Sequence, residues 1–132
     1  MAGETDLARL LATLHPALDG TVYGFATLPP GIEPPSTLPL LALFREDEGL
    51  SLIAPVQALA ALGIAHDGGW ARITLTVHSA LAAVGLTAAV SRALTEAGIS
   101  ANVVAAYHHD HVFVPWPRRE EALAALETLS RS

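Results

Sequence analysis

The sequence predicts an α+β protein made of two units, each an antiparallel sheet with helices packed on one face. Short runs of β-branched and aromatic residues alternate with apolar stripes at helical spacing along the 132 residues. The two halves, predicted as α-β-β-β-α and β-α-β-β-α, are similar in element content although no sequence motif is repeated between them. This length suits one ordinary domain, or two very small ones that share a core.

A stripe of leucines between residues 7 and 14, at i, i+3, i+4 and i+7, predicts the first helix. Thr5 or Asp6 is the expected N-cap. His15-Pro16 should end the helix, because the residue before a proline disfavours helical backbone. The β-branched and aromatic run 21–28 then predicts the first strand.

The proline-rich stretch 29–39 predicts a stiff surface loop inserted within one domain. A hairpin follows it, and then a short helix over 55–63 with proline in its first turn and glycine at its end. The polar segment 64–69 contains paired glycines and is the best boundary candidate. We therefore expect one unit at residues 1–66 and a second at residues 67–132.

Strict alternation of apolar and polar side chains over 70–78 predicts a strand with one buried face. The following helix carries an apolar stripe that starts at Leu86, and Gly98 should end it. Two strands on either side of the histidine-rich tip 107–111 and a closing helix over 117–130 complete the second half.

Composition excludes several classes of function. The chain contains no cysteine, and all seven of its basic residues are arginine. Thiolate zinc sites, cysteine nucleophiles and Schiff-base lysines are therefore excluded. The net charge of −6 argues against binding of nucleic acid through its phosphates. No apolar stretch is long enough for a bilayer, and the N-terminus lacks the basic region of a signal peptide. A cytoplasmic protein without a membrane partner is expected.

The mean hydropathy of +0.43 is high for a chain without a membrane span. An exposed apolar face that is used for oligomerisation is the expected explanation.

The order β-α-β-β-α in the second half restricts its topology. A right-handed crossover places the third strand between the first two, which is the split β-α-β arrangement. The tip of the last hairpin then lies at the sheet edge where the first strand ends. His78 should therefore lie near Asp110 and His111 despite their distance in sequence.

Three interpretations of the tip remain open at this stage. It can be a polar turn whose side chains bond to loop backbone. It can line a small-ligand pocket together with the amides that open the next helix. It can also be a metal site, or the centre of a metal-dependent enzyme, built from His78, His109, Asp110 and His111. No HExxH motif supports the metal site, and Ser79 beside His78 does not make a nucleophile–base pair.

Residues 73–115 carry a family resemblance. The pieces "LTVHSALAAVGLT", "GISANVV" and "HDHVFVP" resemble an ACT-domain protein, in particular the small bacterial family of stand-alone tandem ACT proteins related to the regulatory domains of aspartate kinase. The resemblance implies ferredoxin-like βαββαβ units that pair side by side, often as a homodimer. It also implies a regulatory protein that is not an enzyme, needs no cofactor, and binds an amino acid or similar metabolite where domains meet.

In such proteins the loop after the first strand offers backbone donors to the ligand. Mapped onto this sequence, the implied ligand-binding residues are His78, Ser79, Val84, Gly85, Leu86 and Thr87 in the loop and Asn102 in the second strand. An amino acid's ammonium also needs acceptors, for which Asp110 is a candidate. The alternatives are that Gly85 only makes a sharp turn, that Asn102 only bonds a turn, and that the protein is a purely structural interaction module.

The second half contains no sequence for a fourth strand, and the first half begins with a helix. We expect the N-terminal elements, or the strand 70–78, to complete the sheets across the boundary. The first half lacks a comparable glycine loop, so a structural role is expected for it.

Overall fold

The fold is known from a computed structural model, which describes residues 6–77 and 84–131. The elements in chain order are α1 Leu7–Ala12, β1 Pro16–Leu28, β2 Ala42–Glu46, β3 Gly49–Pro55, α2 Val56–Ala61, β4 Asp67–Leu75, α3 Leu86–Glu96, β5 Asn102–Ala105, β6 Asp110–Pro115, a 3-10 turn Trp116–Arg118 and α4 Arg119–Arg131. Antiparallel pairing joins β1 to β3, β2 to β3, and β5 to β6. The predicted α+β class is confirmed.

Two compact units are formed from interleaved segments of the chain. The continuous unit is Thr21–Trp70. The discontinuous unit joins the chain up to Gly20 with the chain from Ala71 onward. Strands β1 and β4 each cross a unit boundary, so each contributes residues to both units.

In the discontinuous unit the strand order is β1-β4-β6-β5. The third strand of the β-α-β-β-α segment, β6, therefore lies between the other two, as the split β-α-β prediction required. The start of β1 supplies the fourth strand that the C-terminal sequence lacks, so the N-terminal elements do complete this sheet.

The core of the discontinuous unit lies between one face of its sheet and helices α1, α3 and α4. The buried residues of this cluster are Leu10, Leu14, Ala71, Ile73, Leu75, Val77, Leu86, Val90, Leu94, Ile99, Val112, Val114, Ala122 and Leu126. The alternation predicted for β4 is confirmed, since Ile73, Leu75 and Val77 are buried while Arg72 and Thr74 are only partly so.

The continuous unit has the strand order β2-β3-β1-β4. The proline-rich loop takes the place of a helix between its first two strands, and α2 is the helix that follows β3. Its core is smaller and consists of Leu38, Leu50, Leu52, Ala54 and Leu59.

Strands β4 and β1 both start earlier than predicted, and β4 ends at Leu75 instead of residue 78. Strand β4 starts at Asp67 instead of residue 70, because the glycine pair belongs to the sheet. A Cβ on Gly68 would lie 2.9 Å from the carbonyl oxygen of Tyr23, so only glycine permits this close approach between strands. Strand β1 starts at Pro16 instead of residue 21, and proline is tolerated as the first residue of a strand.

The first helix begins where the sequence placed it. The Asp6 carboxylate accepts a hydrogen bond of 3.0 Å from the backbone N–H of Ala8, so Asp6 is the N-cap. The helix ends before His15, whose backbone φ is +42°.

Candidate functional site

The end of β4 and the tip of the β5–β6 hairpin lie side by side. His109 Nδ1 is 3.4 Å from the carbonyl oxygen of Val77, 32 residues earlier in the chain. The sequence analysis expected this strand end and this hairpin tip to lie together, and the structure shows that they do. We call this place, defined by Val77 and residues 106–110, the β4 edge.

Helix α3 begins at Leu86, nine residues after Val77 in the chain. Gly85 is its N-cap and has a left-handed backbone with φ +96°. As a glycine, this N-cap has no side chain with which to accept from the first-turn N–H groups. The first intrahelical bond runs from the N–H of Ala89 to the carbonyl of Gly85 over 2.9 Å.

The predicted ligand-binding residues at the start of α3 differ in exposure. Val84 is 82% exposed, and Thr87 is also exposed. The side chain of Leu86 is 3% exposed and belongs to the core, so only its backbone could meet a ligand. His78 and Ser79 lie outside the described residues, and their predicted roles stay predictions.

Asp110 is the candidate acceptor on the hairpin. It belongs to the β4 edge and pairs with Ala105 at the rung of the β5–β6 ladder nearest the hairpin tip. Burial raises the pKa of its carboxyl above the ordinary value, and the nearby His109 works in the opposite direction. The carboxylate is thus held in a place where water solvates it poorly, and an ammonium would compensate for that loss.

Asn102 is not at the β4 edge. It is exposed and pairs with Phe113, at the opposite end of the short ladder from Asp110. Asn102 is three residue steps from Ala105 along β5, about 10 Å. The resemblance assigned it to a ligand in a neighbouring domain, and that role stays a prediction.

A polar network on the other face of the sheet was not predicted as a site. The guanidinium of Arg72 donates two hydrogen bonds to one carboxylate oxygen of Asp19, at 2.8 and 3.2 Å. His111 Nδ1 lies 3.1 Å from the hydroxyl of Thr74. The alternation of polar residues in β4 indicated a polar face, but the sequence held no sign of the partner 53 residues away.

The pKa of His111 is below its usual value, mainly because the ring is partly buried and also because Arg72 and His109 are near. The unfolded chain therefore takes up a proton before the folded protein does as pH falls. Stability contributed by neutral His111 is present above its unfolded pKa near 6.5 and is lost below it.

We expect His111→Gln, which retains a polar group near Thr74, to flatten the decline in unfolding free energy between pH 7 and pH 5, a window set by the usual histidine pKa of about 6.5. Urea unfolding at several pH values measures this. If the unfolding free energies of wild type and variant changed with pH in parallel, His111 would not be the source of the decline.

The metal hypothesis finds no support in the described part of the chain. Within residues 6–77 and 84–131, no three His, Asp or Glu side chains converge as metal ligands. His109 lies beside the Val77 carbonyl and His111 beside the Thr74 hydroxyl, so the two rings take different partners. His78 belongs to the part that is not described.

The comparisons with known proteins identify the family of both parts of the chain. Residues 2–70 and residues 66–128 each match a family model of the ACT domain. No curated protein is a significant match. No helix among the described residues is long and apolar enough to cross a membrane.

Solved structures share the fold over nearly the whole chain. A Vibrio cholerae protein of unknown function, described as a possible transport protein, is 40% identical with a TM-score of 0.85, covering 98% of this chain and 99% of that one. An Agrobacterium tumefaciens protein is 22% identical with a TM-score of 0.71, over 83% and 84% of the two chains. The ligand-free regulatory subunit of Thermus thermophilus aspartate kinase is 12% identical with a TM-score of 0.66, over 89% and 97%.

The fold and the two matches define a tandem ACT-domain protein. The chain belongs to the ACT-domain family. ACT domains are typically regulatory domains that bind small ligands such as amino acids.

Proposed function

We propose that the protein is a regulatory protein without enzymatic activity that binds an amino acid or a related metabolite at the β4 edge. The observation that carries the proposal is Gly85, a left-handed glycine at the N-terminus of α3, which follows Val77 of that edge by eight residues in the chain. In this proposal the N-terminal half of the chain, predicted as residues 1–66, is a structural partner, and the protein acts in the cytoplasm.

The ligand's carboxylate would meet the first turn of α3. Helix N-termini present unpaired N–H groups and a partial positive charge, which together favour an anion. Gly85 has no Cβ, which permits the left-handed backbone that opens this turn. The exposed neighbours Val84 and Thr87 leave the turn accessible.

The ligand's ammonium would meet the hairpin. Asp110 supplies a carboxylate whose pKa is raised by burial, which means that the loss of solvation outweighs the favourable effect of His109 on its charge. An ammonium placed there would lower that pKa and would itself be held by a charge-assisted hydrogen bond. His78 and Ser79 would complete the loop side of the site.

A neighbouring ACT domain from a second copy of the chain would close the site. This accounts for Asn102, which is exposed but away from the β4 edge, as a contributor to the ligand of the partner. Sedimentation equilibrium should then give a homodimer.

Thermal unfolding against a panel of amino acids tests the proposal. A ligand at ten times its Kd should stabilise the protein by about 1.4 kcal/mol. For a chain of this size that corresponds to roughly 4–6 °C in Tm. A panel that leaves Tm unchanged throughout would contradict the proposal.

Gly85→Ala should abolish the ligand-dependent rise in Tm. The new methyl group would strain a backbone at φ +96° and lie 3.1 Å from Leu7 Cδ2, so the side chain of Leu7 must also give way by a few tenths of an ångström. Gly98→Ala is the matched control, because it strains a glycine with φ +73° at the other end of α3 and its Cβ would contact nothing within 4 Å. Both should lose about 1–2 kcal/mol of stability. A ligand response retained in Gly85→Ala would refute the role of Gly85.

A further inference from the structure

A second concave surface lies between the end of α4 and the start of β1. It is a cleft of about 270 Å³, lined by His15, Pro16, Glu127, Ser130 and Arg131. None of these residues belongs to the site proposed above. Four of the five carry polar side chains, and both signs of charge are present.

The two charged residues on α4 are one helical turn apart and are not paired. In the part of the chain that the structure describes, neither Glu127 nor Arg131 has an ion-pair partner within 4.0 Å. At the same spacing in α3, Arg92 and Glu96 do approach to 3.5 Å. The charges of the cleft are therefore available to a ligand. The last carbonyls of α4 add partial negative charge beside Glu127.

His15 forms the other wall of the cleft with a strained backbone. It is the only non-glycine residue with positive φ, at +42°, in 6–77 and 84–131. Its carbonyl accepts a hydrogen bond of 2.8 Å from the Thr76 hydroxyl, which holds the turn in place. Such strain costs about 1–3 kcal/mol and is concentrated at ligand sites. A helix end followed by a proline could have been made with glycine at no such cost.

We propose that this cleft binds a small zwitterion, an α-amino acid with a compact side chain. Its carboxylate pairs with Arg131 and His15, and its ammonium pairs with Glu127 and the final carbonyls of α4. A simple anion would face Glu127 and the negative helix end, while a simple cation would face Arg131. Only a ligand that carries both charges is complementary to the whole cleft. The volume is below that of drug-sized pockets, about 300 Å³ and more, which suits a ligand of few atoms.

Titration of the ¹⁵N-labelled full chain with glycine tests the inference. Saturable shifts are expected in the amide signals of His15 and Ser130, with a Kd in the millimolar range. Acetate and methylammonium carry one charge each and should bind at least about tenfold more weakly. If no saturable shifts appear up to about 50 mM glycine, the Kd is too weak for a specific site, and this result would overturn the inference. Equal binding of acetate would do the same, because it would make the cleft a simple anion site.

Variants separate the cleft from the β4 edge. Glu127→Gln and Arg131→Gln should each weaken glycine binding at least about tenfold, equivalent to 1.4 kcal/mol. His15→Gly keeps the left-handed backbone and removes only the imidazole. It should weaken glycine binding less than the other two variants do, without lowering the stability of the protein. Glu120→Gln, an exposed acid in the first turn of α4, is the control that should change nothing.

Gly85→Ala distinguishes the two proposals. Shifts of His15 and Ser130 that persist in this variant assign them to the cleft, whether or not the site at the β4 edge exists. Loss of these shifts in Gly85→Ala would overturn the proposal that the cleft binds glycine. Undiminished glycine binding by Glu127→Gln would do the same.

Discussion

Replacing Leu10 by alanine should lower the free energy of unfolding by about 2–5 kcal/mol, as is usual for a fully buried leucine. Leu10 is 0% exposed and lies in the same buried cluster as Leu94 and Leu126. The cost combines the lost burial of the side chain with the cavity that remains between α1 and its neighbours. An effect of this size is expected because the N-terminal helix is part of a core made mostly by residues after position 70.

Urea unfolding of Leu10→Ala beside Leu62→Ala makes the measurement specific. Leu62 follows α2 and is 40% exposed, so its replacement should cost less than about 1 kcal/mol. If Leu10→Ala were as mild as Leu62→Ala, α1 would not belong to the core of the discontinuous unit.

Gly49→Ala should lower the free energy of unfolding by about 3–5 kcal/mol, a loss typical of mutations that disrupt the core or the backbone. Gly49 has φ +138°, and a Cβ there would lie 2.0 Å from the carbonyl oxygen of Leu28. The obstacle is backbone, and the next rung of the ladder pairs Leu28 with Leu50. The strands can therefore separate only by losing hydrogen bonds and the contacts of Leu50 in the core.

Gly63→Ala is the matched control for Gly49→Ala. Gly63 also has a positive φ, +70°, but a Cβ there meets nothing within 4 Å. Its replacement should cost only the left-handed strain, about 1–2 kcal/mol. Thermal and urea unfolding of the two variants should differ by at least about 1 kcal/mol, and equal losses would contradict the close approach of Gly49 to Leu28.

Much of the fold follows from periodicity and end signals. The leucine stripe with Asp6 predicted α1, and the alternation around Ile73 predicted the buried face of β4. Both depend on local chemistry that acts within a few residues. The order of β4, β5 and β6 also followed, because crossover handedness leaves few packings for a β-α-β-β-α segment. The same argument placed the last hairpin beside Val77.

Features that depend on distant contacts were missed. Nothing in the local sequence shows that Gly68 lies against the backbone of Tyr23, so the glycine pair was interpreted as a boundary and not as strand. The ion pair of Arg72 with Asp19 requires the strand order to be known first. The strained φ of His15 and the cleft beside it likewise result from tertiary packing and leave no pattern in the sequence.

The proposed function depends most on an amino acid lying against the opening turn of α3. A crystal structure determined after soaking in a mixture of the common amino acids tests this directly. We predict density for a bound amino acid. Its carboxylate should lie within hydrogen-bond distance of the backbone N–H groups of Gly85 and Leu86, and its ammonium should lie toward Asp110. A well-ordered opening turn with no such density, or amino acid bound only elsewhere, would contradict it.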